Sequence, residues 1–241
     1  MKSVKLAILG AALLGSISSY SQTADEVVDK HIEAIGGKDN WRKVKSVVSE
    51  GVISFQGIDI NVTVTAVHNT GSRQDLTIMG QNNYVIMTPT EGWMYMPVQG
   101  KTTVEPMTEE QVKKGVDELD TQGSLVDYKE KGHTIEYLGK EDVEGTECHK
   151  VKMVLKGGKE TSYFIDPSSY LLIKSTSKQS VNGQEFELTT SYSNYQKLPE
   201  GISIPMTVNI PLGGPGMNAD MVLSKVEINK TVAPETFKPA K

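Results

Sequence analysis

The chain has 241 residues, a formal net charge of −5 at neutral pH, and one cysteine. The acidic balance argues against a nucleic-acid-binding protein, because a phosphate-binding face needs clustered lysine and arginine, and only two arginines, Arg42 and Arg73, are present. A single cysteine, Cys148, also excludes a fold held together by internal disulfides.

Residues 1–21 have the pattern of a secretory signal peptide. Lys2 and Lys5 give a basic start, residues 6–17 form an apolar run shorter than a membrane span, and small residues precede a cut after Ser21. We therefore expect export and cleavage at this point.

Residues 22–241 should then form a single soluble periplasmic domain. Sandwiches and barrels run to roughly 200–250 residues as single units, and no later stretch is long and apolar enough to span a bilayer. Cys148 lies far from the cleavage point, so we expect no lipidated cysteine, and the chain should not be a lipoprotein.

The first predicted element is a helix over residues 24–35. Thr23 and Glu26 have the spacing of a capping box, and the two glycines at 36–37 give a stop signal. The apolar residues recur at roughly helical spacing and are Val27, Val28, Ile32 and Ile35. Trp41, in a further short helical turn, is expected to anchor the core.

Residues 47–97 predict an antiparallel meander of short strands. Within residues 58–66 apolar and polar residues alternate, which is typical of a strand with one wet face. The apolar side of this strand consists of Ile58, Ile60, Val62, Val64 and Ala66. Further β-rich runs, each bounded by turn signals, cover residues 47–55, 73–79, 84–87 and 93–96.

A second capping box, formed by Thr108 and Gln111, predicts a helix over residues 109–119. Its apolar stripe consists of only Val112, Val116 and Leu119. Gly115 lies in the middle of the helix and lowers its intrinsic propensity. A helix with so few apolar contacts is easy to move, so we interpret its apolar stripe as part of a lid.

The second half of the chain again predicts strands, at residues 134–138, 148–155, 161–165, 171–177, 185–195, 204–210 and 221–228. An open sheet with this many strands must curl, split or close, because strongly twisted sheets rarely exceed ~10 strands. The sequence therefore predicts an α+β fold. We expect a curved antiparallel sheet forming an unclosed half β-barrel of about 11 strands, with two or three helices covering its concave face.

Three stretches carry a recognisable pattern: residues 34–37 (Ala-Ile-Gly-Gly), 92–97 (Gly-Trp-Met-Tyr-Met-Pro) and 163–173 (Tyr-Phe-Ile-Asp-Pro-Ser-Ser-Tyr-Leu-Leu-Ile). Together with the signal peptide, the meander and the capped helix, they resemble the LolA-like outer-membrane lipoprotein-sorting proteins over nearly the whole mature chain. The resemblance implies an unclosed β-barrel with a helical lid over a hydrophobic cavity. Members of that family carry acyl chains of lipoproteins or lipids across the periplasm, or sense them.

The resemblance also implies partners. A carrier of this kind takes cargo from an inner-membrane transporter and delivers it to an outer-membrane receptor. That receptor is itself a lipoprotein, so the chain resembles the carrier rather than the receptor. The family's carriers use an arginine near the cavity mouth to help hold the lid, and Arg73 is the candidate strand arginine here. We expect the protein to be a monomer.

The cavity hypothesis assigns the lining to apolar strand positions. The candidate lining residues are Ile53, Phe55, Ile58, Ile60, Val62, Val64, Leu76, Ile78, Tyr84, Ile86, Met94 and Met96. The lid hypothesis adds Val112, Val116 and Leu119 from the second helix. The alternative is that all of these residues pack an ordinary core, because apolar strand positions look the same in every β domain.

The sequence favours a protein that is not an enzyme. It shows no nucleophile elbow, phosphate-binding loop or dinucleotide fingerprint. The histidines are scattered without metal-ligand spacing, at His31, His68, His133 and His149, so we expect neither a metal nor a cofactor. Neighbours in a strand point to opposite faces, so we expect Cys148 to be buried and His149 to be exposed.

Two functional hypotheses follow. The first is a periplasmic carrier that binds acyl chains of lipoproteins or lipids in a hydrophobic cavity, for transfer towards the outer membrane. The alternative is a regulatory or sensor protein of the cell envelope that uses the same fold to bind a protein partner. Lipid that co-purifies with the protein would support the first, and a protein partner without bound lipid would support the second.

Overall fold

The computed structural model describes residues 23–181, 184–212 and 217–239. The predicted signal peptide and its cleavage point lie outside these residues. Within the described ranges, one antiparallel sheet of thirteen strands makes up most of the molecule. None of the helices in this part of the chain is both long enough and apolar enough to cross a membrane.

The strands are β1 (Ser46–Phe55), β2 (Ile58–Val67), β3 (Gly71–Ile78), β4 (Gln81–Met87), β5 (Gly92–Met96), β6 (Lys101–Pro106), β7 (Thr134–Val143), β8 (Thr146–Val154), β9 (Glu160–Ile165), β10 (Leu172–Val181), β11 (Gln184–Lys197), β12 (Ser203–Pro211) and β13 (Asn218–Ile228). The helices are α1 (Ala24–Ala34), α2 (Lys38–Trp41) and α3 (Glu109–Gly115). Short 3-10 turns cover Pro97–Gln99, Val116–Leu119 and Pro234–Phe237.

The chain enters the sheet at its centre and fills the two halves in turn. The order is β6-β5-β4-β3-β2-β1-β13-β12-β11-β10-β9-β8-β7, so β1 and β13 pair in the middle while β6 and β7 form the two edges. Because the two edge strands do not pair, the sheet is not closed into a barrel. The predicted α+β class with an unclosed antiparallel sheet is confirmed.

The number of strands differs from the prediction of about 11, since the described residues contain thirteen. The strand missing from the sequence interpretation is β6, which reads Lys-Thr-Thr-Val-Glu-Pro. Val104 is its only large apolar residue. An edge strand that is exposed to water can form without alternating apolar residues. Periodicity therefore gave no signal for it.

Both predicted capping boxes are present. At the start of α1 the Thr23 hydroxyl accepts a hydrogen bond from the Glu26 amide at 3.2 Å, and the Thr23 amide donates to the Glu26 carboxylate at 3.1 Å. At the start of α3, Thr108 and Gln111 make the same reciprocal pair. These bonds satisfy amides that the first helical turn leaves without a partner. The predicted helix 109–119 consists of α3 followed by the 3-10 turn.

The register defines two faces of the sheet. Directly paired residues on antiparallel strands point to the same face. Following the pairs and the two-residue alternation from β2 across to β8 places Ile60, Ile53, Met221, Tyr163 and Val151 on one face. This face carries α1, which packs on β7 and β8, and we call it the helix face. The opposite one is the outer face.

A first core cluster joins α1 to the helix face. Its buried members are Val27, Val28, Ile32, Leu125, Val126, Tyr128, Val151, Met153, Leu155 and Ile165. Trp41 packs against this first core cluster and donates its indole N–H to the carbonyl of Ile35 at 3.0 Å. It therefore anchors the core, as predicted. Helix α1 is therefore fixed firmly over one half of the helix face.

A second core cluster lies on the outer face and is closed by the C-terminal segment. Tyr84, Ile86 and Phe237 are its buried members. Phe237 lies against Gly71, where an added Cβ would stand 2.7 Å from the phenyl ring. The residues after β13 therefore cross the outer face of β3 to β5. We call this group the outer cluster.

Candidate functional site

The third hydrophobic cluster is built from strands alone, and we call it the wall. Its members are the buried Ile53, Val62 and Ala219 and the partly buried Phe55, Ile60, Val64, Leu76, Ile210 and Met221. They come from β1, β2, β3, β12 and β13, and all lie on the helix face. None of the described helices contributes a residue to the wall, in contrast to the first core cluster, which contains residues of α1.

The wall follows from the pairing of neighbouring strands. Ile53 lies opposite Ile60 on one side and opposite Met221 on the other, while Val62 lies opposite Leu76. Contacts of this kind between directly opposite side chains are the unit of sheet stabilisation. The wall is therefore continuous across the middle of the sheet.

A bulge in the central pair bends the wall. The register of β1 with β13 shifts between Glu50 and Gly51, and Gly51 lies opposite Val62. A Cβ on Gly51 would stand 2.5 Å from the carbonyl oxygen of Val222, so only glycine fits this approach. A bulge bends its strand and increases the local twist.

Six of the predicted lining residues are members of the wall: Ile53, Phe55, Ile60, Val62, Val64 and Leu76. Ile58 lies at the exposed end of the same strand face. Ile78, Met94 and Met96 are partly buried and belong to none of the three clusters of the described residues. The structure thus assembles the β1–β3 part of the prediction into one surface.

Tyr84 and Ile86 were predicted to line the cavity, but they do not belong to the wall. Tyr84 lies opposite Asp75 and Ile86 lies opposite Arg73, whereas the wall residue Leu76 lies opposite Asn83. Tyr84 and Ile86 therefore point to the outer face, where they form the outer cluster with Phe237. A shift of one residue in strand phase moves every side chain to the other face, and the short run 84–87 did not fix that phase.

The wall also contains residues that were not predicted. Ile210, Ala219 and Met221 complete it from β12 and β13. Alternating apolar positions in these strands are visible in the sequence, but the pairing of β13 with β1 joins residues more than 150 positions apart. No local pattern indicates such a pairing.

The predicted lid residues lie on α3 and on the 3-10 turn that follows it, and this turn contacts the β2–β3 turn. Val112 and Leu119 are buried and Val116 is partly buried. The carbonyl of Leu119 accepts a hydrogen bond from the amide of Asn69 at 2.8 Å, which ties the 3-10 turn to the sheet. Helix α3 itself contributes a single buried side chain, Val112.

Helix α3 approaches β4 through a glycine. An added Cβ on Gly115 would stand 2.7 Å from the sulfur of Met87, the far end of a flexible side chain. Met87 shares its face with Ser72 and Gly92, the partners it meets in the sheet. The unbranched methionine adapts readily to such a neighbour.

Arg73 lies away from the lid, contrary to the role that the resemblance implies. It is on the outer face, where its guanidinium donates to the carboxylate of Asp75 at 2.7 Å and lies 4.8 Å from the centre of the Tyr84 ring. The bound carboxylate raises the pKa of Arg73. A further long contact of 3.5 Å reaches the carbonyl of Thr236. Arg73 therefore supports the outer cluster and the C-terminal segment.

Two clefts of the described residues are lined by a mixture of polar and apolar groups. One of about 480 Å³ lies between the 3-10 turn after α3 and the ends of β8 and β9, and its lining includes Asp117, Lys131, His133 and Tyr163. The other, of about 390 Å³, lies on the outer face beside Arg73. Neither cleft contains a residue of the wall except Leu76, which borders the second.

His149 is buried, and the prediction that it is exposed is wrong. Only 2 % of its surface is exposed, because Tyr170 covers its ring and the Tyr137 hydroxyl lies 3.0 Å from Nδ1. Cys148 is buried on the other side of β8, as predicted, and burial raises the pKa of its thiol. A sequence pattern cannot show that both faces of a strand are covered at one point.

The described residues contain no group of three histidine, cysteine or acidic side chains close enough to hold a metal ion. The arrangement that stands out is instead the partly exposed apolar wall. Its chemistry is the removal of apolar surface from water, which is non-directional and proportional to the area covered.

Solved structures share this architecture. A LolA superfamily protein from Nitrosomonas europaea superposes with a TM-score of 0.58 at 13% identity, over 91% of this chain and 99% of that chain. The chain has a LolA-like fold. An outer membrane lipoprotein-sorting protein domain from Vibrio parahaemolyticus superposes on this chain with a TM-score of 0.53 at 12% identity, over 89% of this chain and 97% of that chain.

The likeness is visible in structure alone. No protein-family model matches the sequence, and no curated protein matches it. At identities of 12–13% these superpositions establish the fold alone. The function therefore has to be argued from the wall.

Proposed function

We propose that the protein is a non-enzymatic periplasmic carrier that binds acyl chains of lipids or lipoproteins on the wall, for transfer towards the outer membrane. The observation that carries the proposal is that the wall is apolar, lies on the helix face, and contains no residue from a helix. Six of its nine members keep part of their surface exposed. A partly exposed apolar surface of this kind is typical of a site that binds an apolar ligand.

The energetics favour a chain-like apolar ligand. Covering one methylene contributes about 0.8 kcal/mol, so a few carbons of an acyl chain outweigh the cost of moving a small lid. Helix α3 has one buried side chain, Val112, and approaches Met87 of β4 at Gly115. We assign it the lid role, with Val112, Val116 and Leu119 as the apolar contacts.

The fold supports the same proposal. One structural neighbour is described as an outer membrane lipoprotein-sorting protein domain, and another as a LolA superfamily protein. The signal-peptide pattern of residues 1–21 supports export to the periplasm. An inner-membrane transporter and an outer-membrane receptor are the partners that such a carrier requires, and a monomer is the form that exchanges cargo most simply.

The test measures binding of an acyl chain to the mature protein. We expect a fluorescent fatty acid to bind and to be displaced by unlabelled fatty acid, and mass spectrometry should find co-purified lipid. Ile60→Asn and Leu76→Asn, in the wall, should each weaken probe binding by about tenfold. Val222→Asn is the matched control, because Val222 is an exposed apolar residue of β13 on the outer face. Absence of probe binding by the folded wild-type protein would overturn the proposal.

A further inference from the structure

Exposed apolar side chains gather at one end of the sheet. Six large hydrophobic residues of the described chain are exposed: Ile58, Met79, Leu138, Leu212, Met217 and Val222. Three of them lie in connections between strands and Ile58 is the first residue of β2; we call Ile58, Met79, Leu212 and Met217 the rim. Met79 is the most exposed, at 75%.

The strand register shows that the rim lies at a single end. Phe55 pairs with Ile58 across the β1–β2 turn, and Ser54 pairs with Asp220 near the start of β13. The β3–β4 turn at Met79 follows from the pairing of Ile78 with Gln81. β1 and β3 both finish at this end of the sheet, and β13 starts there. The β1–β2, β3–β4 and β12–β13 turns are therefore neighbours.

Leu212 and Met217 flank the third turn. The amide of Leu212 donates to the carbonyl of Met217 at 2.7 Å, which closes the connection between β12 and β13. Residues 213–216 between them lie outside the described residues.

The described tips of these turns carry no charge. Gln56 and Gly57 precede Ile58, while Gly80 and Gln81 follow Met79. The first charged residues on the strands beside them, Asp59 and Asp220, lie on the outer face. They are held there by hydrogen bonds of 2.7 Å from Ser54 and Asn209. The described residues of these three connections can therefore enter an apolar medium without burying an ion. The longer β10–β11 hairpin, which turns at the same end of the sheet, carries the charged residues Lys178 and Glu187 directly opposite each other.

The rim continues the wall. Ile58 precedes the wall residue Ile60 by two positions on the same face and pairs with the wall residue Phe55. Leu212 likewise follows the wall residue Ile210 by two positions. An apolar path therefore runs from the middle of the sheet to the exposed tips.

We infer that the rim docks the protein onto a lipid bilayer, with the wall open towards the membrane so that an acyl chain passes between the two without crossing water. The docking step stands on the rim alone, and the passage of an acyl chain rests on the proposed function. Separate exposed apolar side chains on three neighbouring connections suit a fluid lipid surface rather than a partner with a fixed shape.

The charge of the protein selects the lipid. With a formal net charge of −5 and two carboxylates beside the rim, the protein is repelled by an anionic surface. The bilayer that it fits is zwitterionic, and apolar insertion rather than charge attraction holds it.

The test is co-sedimentation of the mature protein with phosphatidylcholine vesicles. We expect the wild-type protein to bind, and the double variant Ile58→Asp with Met79→Asp to bind about tenfold more weakly. Aspartate suits position 79, because Met79 has φ +50 and aspartate tolerates the left-handed region. Adding anionic lipid should weaken binding rather than strengthen it.

Matched controls come from the other exposed hydrophobic residues. Leu138→Asp on the edge strand β7 and Val222→Asp on the outer face remove comparable apolar surface away from the rim. They should bind vesicles as the wild-type protein does. Equal losses in the controls and the rim variant, or binding only to anionic vesicles, would overturn the inference. A rim-dependent dimer seen by analytical ultracentrifugation in place of vesicle binding would also overturn it.

A label reports where the contact lies. Cys148 is fully buried, so an environment-sensitive thiol dye attaches selectively to Met79→Cys or Leu138→Cys. Vesicles should shift the emission of the dye to the blue at position 79 and leave it unchanged at position 138. The reverse pattern would contradict docking through the rim.

The two proposals fail separately. Fatty-acid binding without vesicles tests the wall, and the single variant Met79→Asp, which changes no wall or predicted lining residue, should retain it. Vesicle binding tests the rim, and the wall variant Leu76→Asn should retain it. Binding to vesicles without binding of fatty acid would support docking and overturn the carrier function. Binding of fatty acid without binding to vesicles would support the carrier function and overturn docking.

Discussion

The imidazole of His149 on β8 stacks on the ring of Tyr170, with the ring centres 5.8 Å apart and the planes at 13°. The carbonyl of Tyr170 in turn lies 2.8 Å from Nδ1 of His31 on α1, which donates to it. Both imidazoles are buried, and the burial lowers both pKa values below 6.5. Two uncharged histidines therefore lie at the place where α1 meets the sheet.

This pair predicts that acid destabilises the protein. The folded state binds these two protons less readily than the unfolded chain does, so stability is complete above about pH 6.5 and falls as the pH drops below it. Lys30 and Lys140 lower the pKa of His149 further, and Asp166 opposes them. Urea denaturation measured from about pH 8 to pH 5 should show the loss.

The double variant His31→Gln with His149→Gln supplies the comparison. Its free energy of unfolding should depend less on pH over this range than that of the wild-type protein, whatever its absolute stability. A wild-type stability that stays constant from about pH 7 to pH 5 would falsify the prediction.

The end of α1 predicts a contrast between two adjacent glycines. Gly36 has φ +113, and a Cβ there would stand 2.2 Å from the carbonyl oxygen of Gly201. Gly37 has φ +83, but the nearest atom to its Cβ would be a Glu33 carboxylate oxygen at 3.9 Å. Gly37→Ala should therefore cost only the backbone strain, about 1 kcal/mol.

Gly36→Ala should cost more, about 3 kcal/mol or above, since the strain adds to a collision with backbone that cannot move aside. Chemical denaturation of both variants checks the difference. Equal losses of stability would show that the approach of α1 to the turn at Gly201 is looser than the structure has it.

Much of the fold could be predicted from the sequence, because local patterns determine it. The alternation in residues 58–66 gives β2 and its phase, and the hydroxyl and carboxamide spacing at Thr108 and Gln111 gives the start of α3. The Phe-Ile-Asp-Pro motif gives the turn at Asp166, whose carboxylate accepts hydrogen bonds from the amides of Ser168 and Ser169.

The rest depends on long-range pairing. β1 and β13 form the centre of the sheet, although they lie at opposite ends of the chain, and this pairing brings Ala219 and Met221 into the wall. The outer position of Tyr84 depends on which residue of β3 it faces. The burial of His149 depends on Tyr170. None of these contacts leaves a local trace in the sequence.

The two capping boxes predict different consequences for the same substitution. Removing a threonine N-cap typically costs about 1 kcal/mol. Residues of α1 belong to the first core cluster, so Thr23→Ala should lower the global free energy of unfolding by about this amount. α3 buries only Val112, so Thr108→Ala should mainly increase local opening of the lid.

Hydrogen–deuterium exchange distinguishes the two outcomes. Thr108→Ala should speed exchange within residues 109–119 while leaving the denaturation midpoint almost unchanged, and Thr108→Ser should restore the wild-type exchange rate. If Thr108→Ala lowers global stability as much as Thr23→Ala does, α3 is part of the cooperative core and the lid role is lost.

The hydroxyl of Tyr84 predicts a stabilising substitution. It is buried, and no hydrogen-bond partner for it exists among the described residues. A buried polar group without a partner costs about 1–3 kcal/mol, whereas removing it leaves the ring and its packing in place. Tyr84→Phe should therefore raise the free energy of unfolding by about 1 kcal/mol, measured by chemical denaturation.

Tyr195→Phe is the matched comparison, because the Tyr195 hydroxyl donates to the carbonyl of Leu172 at 2.7 Å. Burial raises the pKa of Tyr195, so the hydroxyl remains protonated and able to donate. Its removal should lower stability by about 1 kcal/mol, since it leaves a carbonyl without its partner. Opposite signs for the two substitutions are expected, and a loss of stability in Tyr84→Phe would mean that its hydroxyl has a partner, such as an ordered water, within the outer cluster.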